Sequence, residues 1–462
     1  MARFATGLRY SDLPAPVAEK AKEIILHSLG VQLAASTLPW SQLIYRYAED
    51  LGGTPRSTIV NYGLRTSPES AAYVNGAFAH GFELDDNHSR TSVKGGCVTV
   101  PAALAIGEDQ RSSGEDVITA VAAAFEVMLR VGLAIRPGVM GRGAHPTGSS
   151  GPFGAATAAS KLLGLDELTT AYALSSAGTN IVGLSEIPAD GRGHLKRTFG
   201  GAAAAAGIRA ARLAAAGLTG PLTTLSPEVT WGSFTGFFGV DPEHGRELTA
   251  GLGSTWHILG VHYKIYAQDG YIQPMTDALR QIRQQASFDS GEIEEVRIGT
   301  NQHAHDHVIG AIREPRDLTD AQFSAAFSVA LYLVRGGAGL AEYTPDALTD
   351  PRITELSKRV RIEVDEELDR DYALTRARSA VVTVRLASGA EYSARIPSLR
   401  QLTPAEVDEK FASLAAVVLS PERVMAVRDT VRGLEKVPDV SGLMPLLVGP
   451  AGVAGAAGHA PS

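Results

Sequence analysis

The chain has a single cysteine, Cys97, in 462 residues. One thiol excludes an internal disulfide, so the fold does not depend on an oxidising compartment. It also excludes an ordinary iron–sulfur cluster held by one chain, which needs several thiolates. Aromatic residues are scarce at 6%, so the core has to be filled largely by aliphatic and small side chains. Positive charge is in deficit, with a net charge of −8 and no basic tract interleaved with aromatics, which argues against nucleic-acid binding. Long uninterrupted apolar runs are missing too. The longest, "VITAVAAAFEVMLRVGLAI", is broken by Glu126 and Arg130 and reads as a buried amphipathic helix rather than a membrane span. The first twenty residues lack the apolar centre of a signal peptide, and the expectation is a cytoplasmic protein.

A hydrophobic share of 44% and a charged share of 20% are those of ordinary globular proteins, and the length allows two domains. The first half reads as helices. "LPAPVAEKAKEIILHSLGVQLAAS" has Pro near the start of an apolar helical period, and Ser67 precedes Pro68 as an N-cap. Later segments, "GPFGAATAASKLLGL" and "GGAAAAAGIRAARLAAAGL" among them, are dense in Ala and Gly, which lets helix axes approach closely. After about residue 256 the period changes to two in "IEEVRIGT", "RVRIEVDEE", "SAVVTVRLASG" and "AEYSARIP", as strands require. Between them "TDAQFSAAFSVALYLVRGG" reads as a helix capped by Thr319 and ended at Gly336–Gly337. The expected architecture is mainly α with a smaller α+β domain: an all-helical domain over 1–255, an α+β domain over 256–402, helices over 403–445 returning to the first domain, and a poorly ordered Gly/Pro-rich tail over 446–462.

Four segments carry chemistry. In "HGFELDDNHSRTSVKGGC" a continued helix places Gly76, His80, Glu83 and Asn87 on one face, with Asp85 and Asp86 near its end. Carboxylates at a helix C-terminus oppose the macrodipole, a local cost that points to function over a merely solvated helix end. In "GRGAHPTGSSGPFGAATAA" His145 precedes a turn, and a helix beginning at Pro152, with Ser149 and Ser150 beside it, offers free N–H groups to a carboxylate or phosphate. Lys196 and Arg197 precede a Gly-rich helix start, and Lys264 lies in an apolar-aromatic setting in "GVHYKIYAQDGYIQPMTDAL". His303, His305 and His307 in "NQHAHDHVIG" line one face if the segment is a strand, but a solvated loop is the better reading, and no metal is assigned.

The segments "VNGAFAHGFELDDNH", "VPAALAIGE", "HPTGSSGPFGAATAASKLLGL", "KRTFGGAAAAAGIRAARLAAAGLTGP" and "TDAQFSAAFSVAL", in that order, resemble the MmgE/PrpD family over nearly the whole chain. The family includes 2-methylcitrate dehydratases, cis-aconitate decarboxylases and an iminodisuccinate epimerase. The resemblance implies a large helical domain and a smaller α+β domain with the active site between them, a homodimer, and a reaction without metal or other cofactor. It places Glu83 where the family's decarboxylases have Asp, Asn87 where they have Thr, and Lys94 near a usual His. His145 matches the family's "HPTG" histidine, and Lys196 and Lys264 match basic residues of the pocket. Phe199 and Gln273 replace two further histidines. The expected function is a lyase acting on a di- or tricarboxylic acid by dehydration or decarboxylation. The alternatives are an epimerase of an iminodisuccinate-like dicarboxylate and a catalytically silent dimeric binding protein. His145, Lys264, Lys94 and Glu83 are the expected catalytic residues. Asn87, Asp86, Lys196, Ser149 and Ser150 are the expected substrate contacts.

Overall fold

A computed structural model describes residues 1–450 apart from 182 and 186–192, and apart from the side chains of Met140 and His307. The helical body contains α1 (Ala15–Ala35), α2 (Pro68–Ala79), the short strand β1 (Asp86–His88), α3 (Gly96–Gln110), α4 (Gly114–Arg142), α5 (Pro146–Leu162), α6 (Glu167–Ala177), α7 (Phe199–Ala215) and strand β2 (Val261–Tyr263). The smaller body follows with α8 (Gln273–Gln285), β3 (Ile293–Thr300), α9 (Leu318–Phe323), α10 (Ala325–Arg335), β4 (Val360–Val364), α11 (Glu366–Thr375), β5 (Ala380–Leu386) and β6 (Glu391–Ile396). Helices α12 (Pro404–Ala415) and α13 (Pro421–Arg432) then lay Val407, Phe411, Val427 and Val431 back into the helical core. The fold is mainly α with a smaller α+β unit.

Small residues set the helix spacing. A methyl group on Gly76 would come 2.6 Å from the Gly201 Cα, so α2 and α7 meet backbone to backbone, as the Ala/Gly density requires. Helix α4 is long and apolar enough by composition to cross a membrane, and its apolar window is wholly buried within the protein. The two charges that interrupt it answer each other. Arg130 Nε lies 3.5 Å from Glu126, and its guanidinium donates to the Ala250 and Thr255 carbonyls at 2.6 and 2.9 Å.

The four-stranded sheet has the order β4-β3-β5-β6, with β3 and β4 parallel and the other pairs antiparallel. Strand β5 alternates buried and half-buried residues, so one face meets the core. The register shift at Ile293/Glu295 interrupts that alternation in β3.

Several sequence expectations change. The core switches after Lys264 rather than at residue 256, because β2 pairs with β1 and puts Val261 and Tyr263 in the helical core. The expected helix over 319–335 is two helices broken at Ser324, and its cap is Asp317, whose carboxylate accepts from the Asp320 N–H; Thr319 lies inside α9. At the end of the chain, Leu447 is fully buried and the Gly449 N–H donates to the Asn61 carbonyl at 2.9 Å. Residues 446–450 therefore belong to the helical body, and the remainder of the expected tail lies outside the described residues.

The junction of the two bodies is a packed one. Val31, Ala34 and Ala35 of α1, with Trp40, Phe82 and Leu84, join the core of the smaller body. The loop that carries Glu83 is thereby held between the two units.

Candidate active site

Helix α2 stops at Ala79, not beyond Asn87 as the face-sharing pattern assumed. His80 is its C-cap, Glu83 has φ +54, and the chain then extends into β1. A left-handed backbone at a non-glycine residue costs about 1–2 kcal/mol, so surrounding contacts have to hold it. They do so through Glu83 itself. The pairing of Asp86 with Tyr263 delivers Lys264 to the loop, where its Nζ donates to Glu83 Oε2 at 2.6 Å and lies 3.0 Å from Asp85 Oδ1. Lys196, from the turn before α7, pairs with Glu83 Oε1. Asp85 Oδ2 meets His80 Nδ1 at 2.6 Å. The result is one buried ionic chain, Lys196–Glu83–Lys264–Asp85–His80, in which all but Lys196 are at most 2% exposed.

Burial by itself raises a carboxyl pKa, but Lys196 and Lys264 outweigh it and hold Glu83 well below the usual carboxylate range. Asp85 is likewise held down against burial by Lys264 and His80. Burial lowers Lys264, yet Asp85 and Glu83 more than compensate and raise it. This lysine neither snorkels to solvent nor loses its charge.

The two imidazoles carry opposite proton arrangements. His145 is the N-cap of α5, and its Nδ1 accepts the Gly148 N–H at 3.3 Å, so in the neutral ring Nε2 bears the proton. His80 faces the Asp85 carboxylate through Nδ1, which places its proton there and leaves Nε2 bare; that buried Nε2 has no hydrogen-bond partner among the described residues. Burial lowers both rings, assisted by Lys94 at His145 and by Lys196 at His80. The ring centroids are 5.8 Å apart, and the Phe199 ring meets that of His145 edge-on at 5.0 Å.

Lys94 differs from the other two lysines. Its N–H donates to Thr147 Oγ1 at 2.9 Å and its Nζ to the Ser92 carbonyl at 3.1 Å, with no carboxylate partner among the described residues. Burial, with Lys196 and Lys264 nearby, pushes it down to about 8.

The remaining expected contacts divide. Asn87 donates toward His262 Nε2 at 3.3 Å, and among the described residues its Oδ1 and the buried Ser149 Oγ have no hydrogen-bond partner. Ser150 Oγ donates to the Pro146 carbonyl within α5, so it is not free for substrate. Asp86 accepts the Gly95 and Gly96 N–H groups at 3.0 and 2.8 Å, which ties it to the start of α3 rather than to a ligand. Burial and the neighbouring Asp85 push Asp86 up to about 7. The helix start expected at Pro152 is at Pro146; Pro152 lies inside α5, so the N–H groups there are not free. Gln273 is structural: its amide accepts the Ile265 and Tyr266 N–H groups and donates to the Tyr266 and Gln268 carbonyls.

Sequence reasoning missed Lys410. From α12 its ammonium donates to the Leu84 carbonyl at 3.0 Å, to the Lys264 carbonyl and to His27 Nε2 at 2.8 Å, fixing the Glu83 loop to Lys264. Burial pushes it down to about 7. A lysine in an amphipathic helix carries no sequence signal for this, because its partners are distant carbonyls.

Among the described residues, His80, Asp85 and Cys97 offer ligand atoms within 4.8 Å of one another. Lys264 and His80 already pair with Asp85, and burial raises the Cys97 thiol well above its usual range, which disfavours a thiolate ligand. The segment of His303 and His305 is helical, neither the expected loop nor a strand. His303 stacks on Tyr372, His305 faces Asp306 at 2.7 Å, and the His307 side chain lies outside the described residues. A cavity of about 940 Å³ lies elsewhere, bordered by Met1–Phe4, Leu225 and Leu252, and none of the clustered groups lines it.

Residues 1–244 match the MmgE/PrpD N-terminal domain and residues 266–436 the MmgE/PrpD C-terminal domain, and the chain belongs to the MmgE/PrpD family. Within that family it is similar to a cis-aconitate decarboxylase-like protein of Aspergillus oryzae, 29% identical over 470 residues, covering 97% of this chain and 96% of the relative. The cis-aconitate decarboxylase of Aspergillus terreus is 29% identical over 468 residues, covering 96% and 94%. That of Homo sapiens is 26% identical over 473 residues, covering 97% and 94%.

Proposed function

We propose that the protein is a lyase that decarboxylates an unsaturated tricarboxylic acid of the cis-aconitate kind, with no metal or organic cofactor. The observation that carries this reading is Lys94, a half-buried ammonium with no carboxylate partner among the described residues, near enough to the His145 ring to favour its neutral form. It has the charge to receive a substrate carboxylate and a pKa near 8 that suits it to give up a proton. In the reaction the bond from carbon to the departing carboxylate breaks, and its electron pair spreads through the double bond toward a second carboxylate. Lys94 and the His145 Nε2–H stabilise the charge that develops there. A proton from the ammonium then completes the product, and solvent restores Lys94. The names of the relatives favour decarboxylation over dehydration.

A second reading rests on His80. Its bare, unpaired Nε2, oriented by Asp85, is a base, and with Lys94 as the acid the site has the two groups an epimerase needs. Incubation with a panel of polycarboxylates in D2O, followed by NMR, separates these. Release of CO2 with deuterium in the product supports the lyase; a new alkene without CO2 supports dehydration instead. Deuterium exchange without net loss supports the epimerase, and binding without either supports a silent binding protein.

The same reading makes the protein a cytoplasmic homodimer joined through the helical body. One buried cysteine is compatible with a reducing compartment. Leu43, Tyr47 and Leu51, at least 59% exposed and four residues apart on the helix Pro39–Leu51, form an apolar stripe on that body. Light scattering at micromolar concentration should return twice the chain mass of 48.5 kDa, and the single chain mass contradicts the dimer.

A further inference from the structure

Beside the ionic chain, two guanidiniums converge on one hydroxyl. Arg136 of α4 and Arg378, just before β5, both donate to Ser92 Oγ, at 3.4 and 3.3 Å. One comes from the helical body and the other from the smaller body. Arg378 is 5% exposed and stacks over Tyr271 at 4.7 Å, and Arg136 is half-buried. Among the described residues neither is paired with a carboxylate. Two like charges drawn to one neutral oxygen repel, and a buried charge is costly unless paired, so this arrangement is incomplete without an anion.

The surroundings accommodate the pair. A Cβ on Gly270 would overlap the Arg378 guanidinium, so glycine there leaves that side chain its place. Ser92 itself has φ +57, and its carbonyl holds Lys94 Nζ at 3.1 Å. The same loop meets α5 through the Lys94 N–H and Thr147. Arg136, Thr91 and Pro146, the neighbour of His145, border one small void. The arginines thus adjoin Lys94 through Ser92 and His145 through its neighbour Pro146. A guanidinium presents a planar fork that matches a carboxylate in two parallel hydrogen bonds, which a hydroxyl cannot reciprocate.

We propose that Arg136 and Arg378 form a clamp across the domain junction for a substrate carboxylate remote from the one at Lys94. The clamp rests on the polycarboxylate reading and deepens it: it selects three carboxylates over two. The guanidinium N–H groups that meet Ser92 Oγ are the ones that carboxylate would take.

The test is titration calorimetry with tricarballylate, which has three carboxylates and no double bond, and with glutarate, which has two. Arg378→Gln and Arg136→Gln are each compared with wild type, with circular dichroism as the check on folding. Gly270→Ala displaces Arg378 without removing it and serves if a charge-removing variant misfolds. The expected result is tricarballylate binding weakened by about 10- to 100-fold, the loss of charge-assisted hydrogen bonds, with glutarate changed by less than about two-fold. Turnover of a tricarboxylate should show KM raised more than kcat lowered. Equal loss for both probes, or none for either, overturns the clamp. If wild type binds neither probe, the polycarboxylate reading falls, and sulfate then decides the clamp. Thermal stabilisation by sulfate that disappears in the arginine variants keeps an oxyanion clamp, and a response that is absent or unchanged overturns it.

Discussion

Replacing Glu83 by alanine removes the centre of the ionic chain. Lys264 keeps Asp85 at 3.0 Å, so it retains one partner. Among the described residues Lys196 keeps only the Phe323 ring, 5.1 Å from its Nζ, and the more distant Asp85, and becomes a mostly buried ammonium without a directly paired carboxylate. Breaking a buried ion pair by removing one partner costs about 3–5 kcal/mol; with a single lysine stranded the lower figure, about 3 kcal/mol, applies. The truncation also vacates the volume of a small carboxylate. Acetate should therefore enter between the two lysines and, at a hundredfold excess over its dissociation constant, return about 2.7 kcal/mol, nearly the whole loss. The assay is urea unfolding at pH 7.5 in sodium acetate against sodium chloride of equal ionic strength. The sign with pH follows from the depressed Glu83 pKa. Its contribution is present above the ordinary glutamate value and is lost only as pH falls through the lower folded value. The gap between wild type and variant should hold at neutral pH and narrow in acid. A variant as stable as wild type, or one that acetate protects no better than chloride, refutes the idea that Glu83 occupies a carboxylate position.

Other outcomes follow from the same geometry. His145→Ala should lower turnover by about 10²–10⁴-fold with a smaller change in substrate affinity, and a folded variant with full turnover removes its catalytic role. His80→Gln should abolish any hydrogen–deuterium exchange at carbon, because it replaces the bare Nε2; undiminished exchange measured by NMR points to a different base. With Lys94 as proton donor, kcat should fall as pH rises through about 8, and a flat profile from pH 7 to 9.5 excludes that role. Lys410→Met should destabilise the protein by about 2–4 kcal/mol, since it leaves the Leu84 and Lys264 carbonyls unpaired in the interior. Unchanged urea stability argues against its bracing the Glu83 loop.

The helical and strand segments were legible because their periods, caps and Ala/Gly content act locally. Ser67 caps α2 and Gly336 ends α10 as their spacing requires. The site was legible in its members and not in its connections. His80 and Glu83 do meet one network, but through a C-cap and a left-handed turn rather than along a helix face. Whether a run such as "HGFELDD" continues α2 is decided by Lys196, Lys264 and Lys410, which arrive from distant segments. The same holds for Asp86, whose partners are backbone N–H groups nine and ten residues on, and for Pro152, which α5 absorbs once Pro146 begins the helix. Arg378 and Arg136 carry no motif; only the tertiary fold brings them to Ser92.

Cofactor-free decarboxylation is tested by the CO2 balance of metal-stripped protein incubated with cis-aconitate in D2O, read by NMR and by trapped CO2. Equimolar CO2 and a product bearing one new deuterium on carbon are expected, at a rate unaffected by chelator and lost in Lys94→Met. Consumption without CO2, or activity that returns only when a metal is restored, contradicts it.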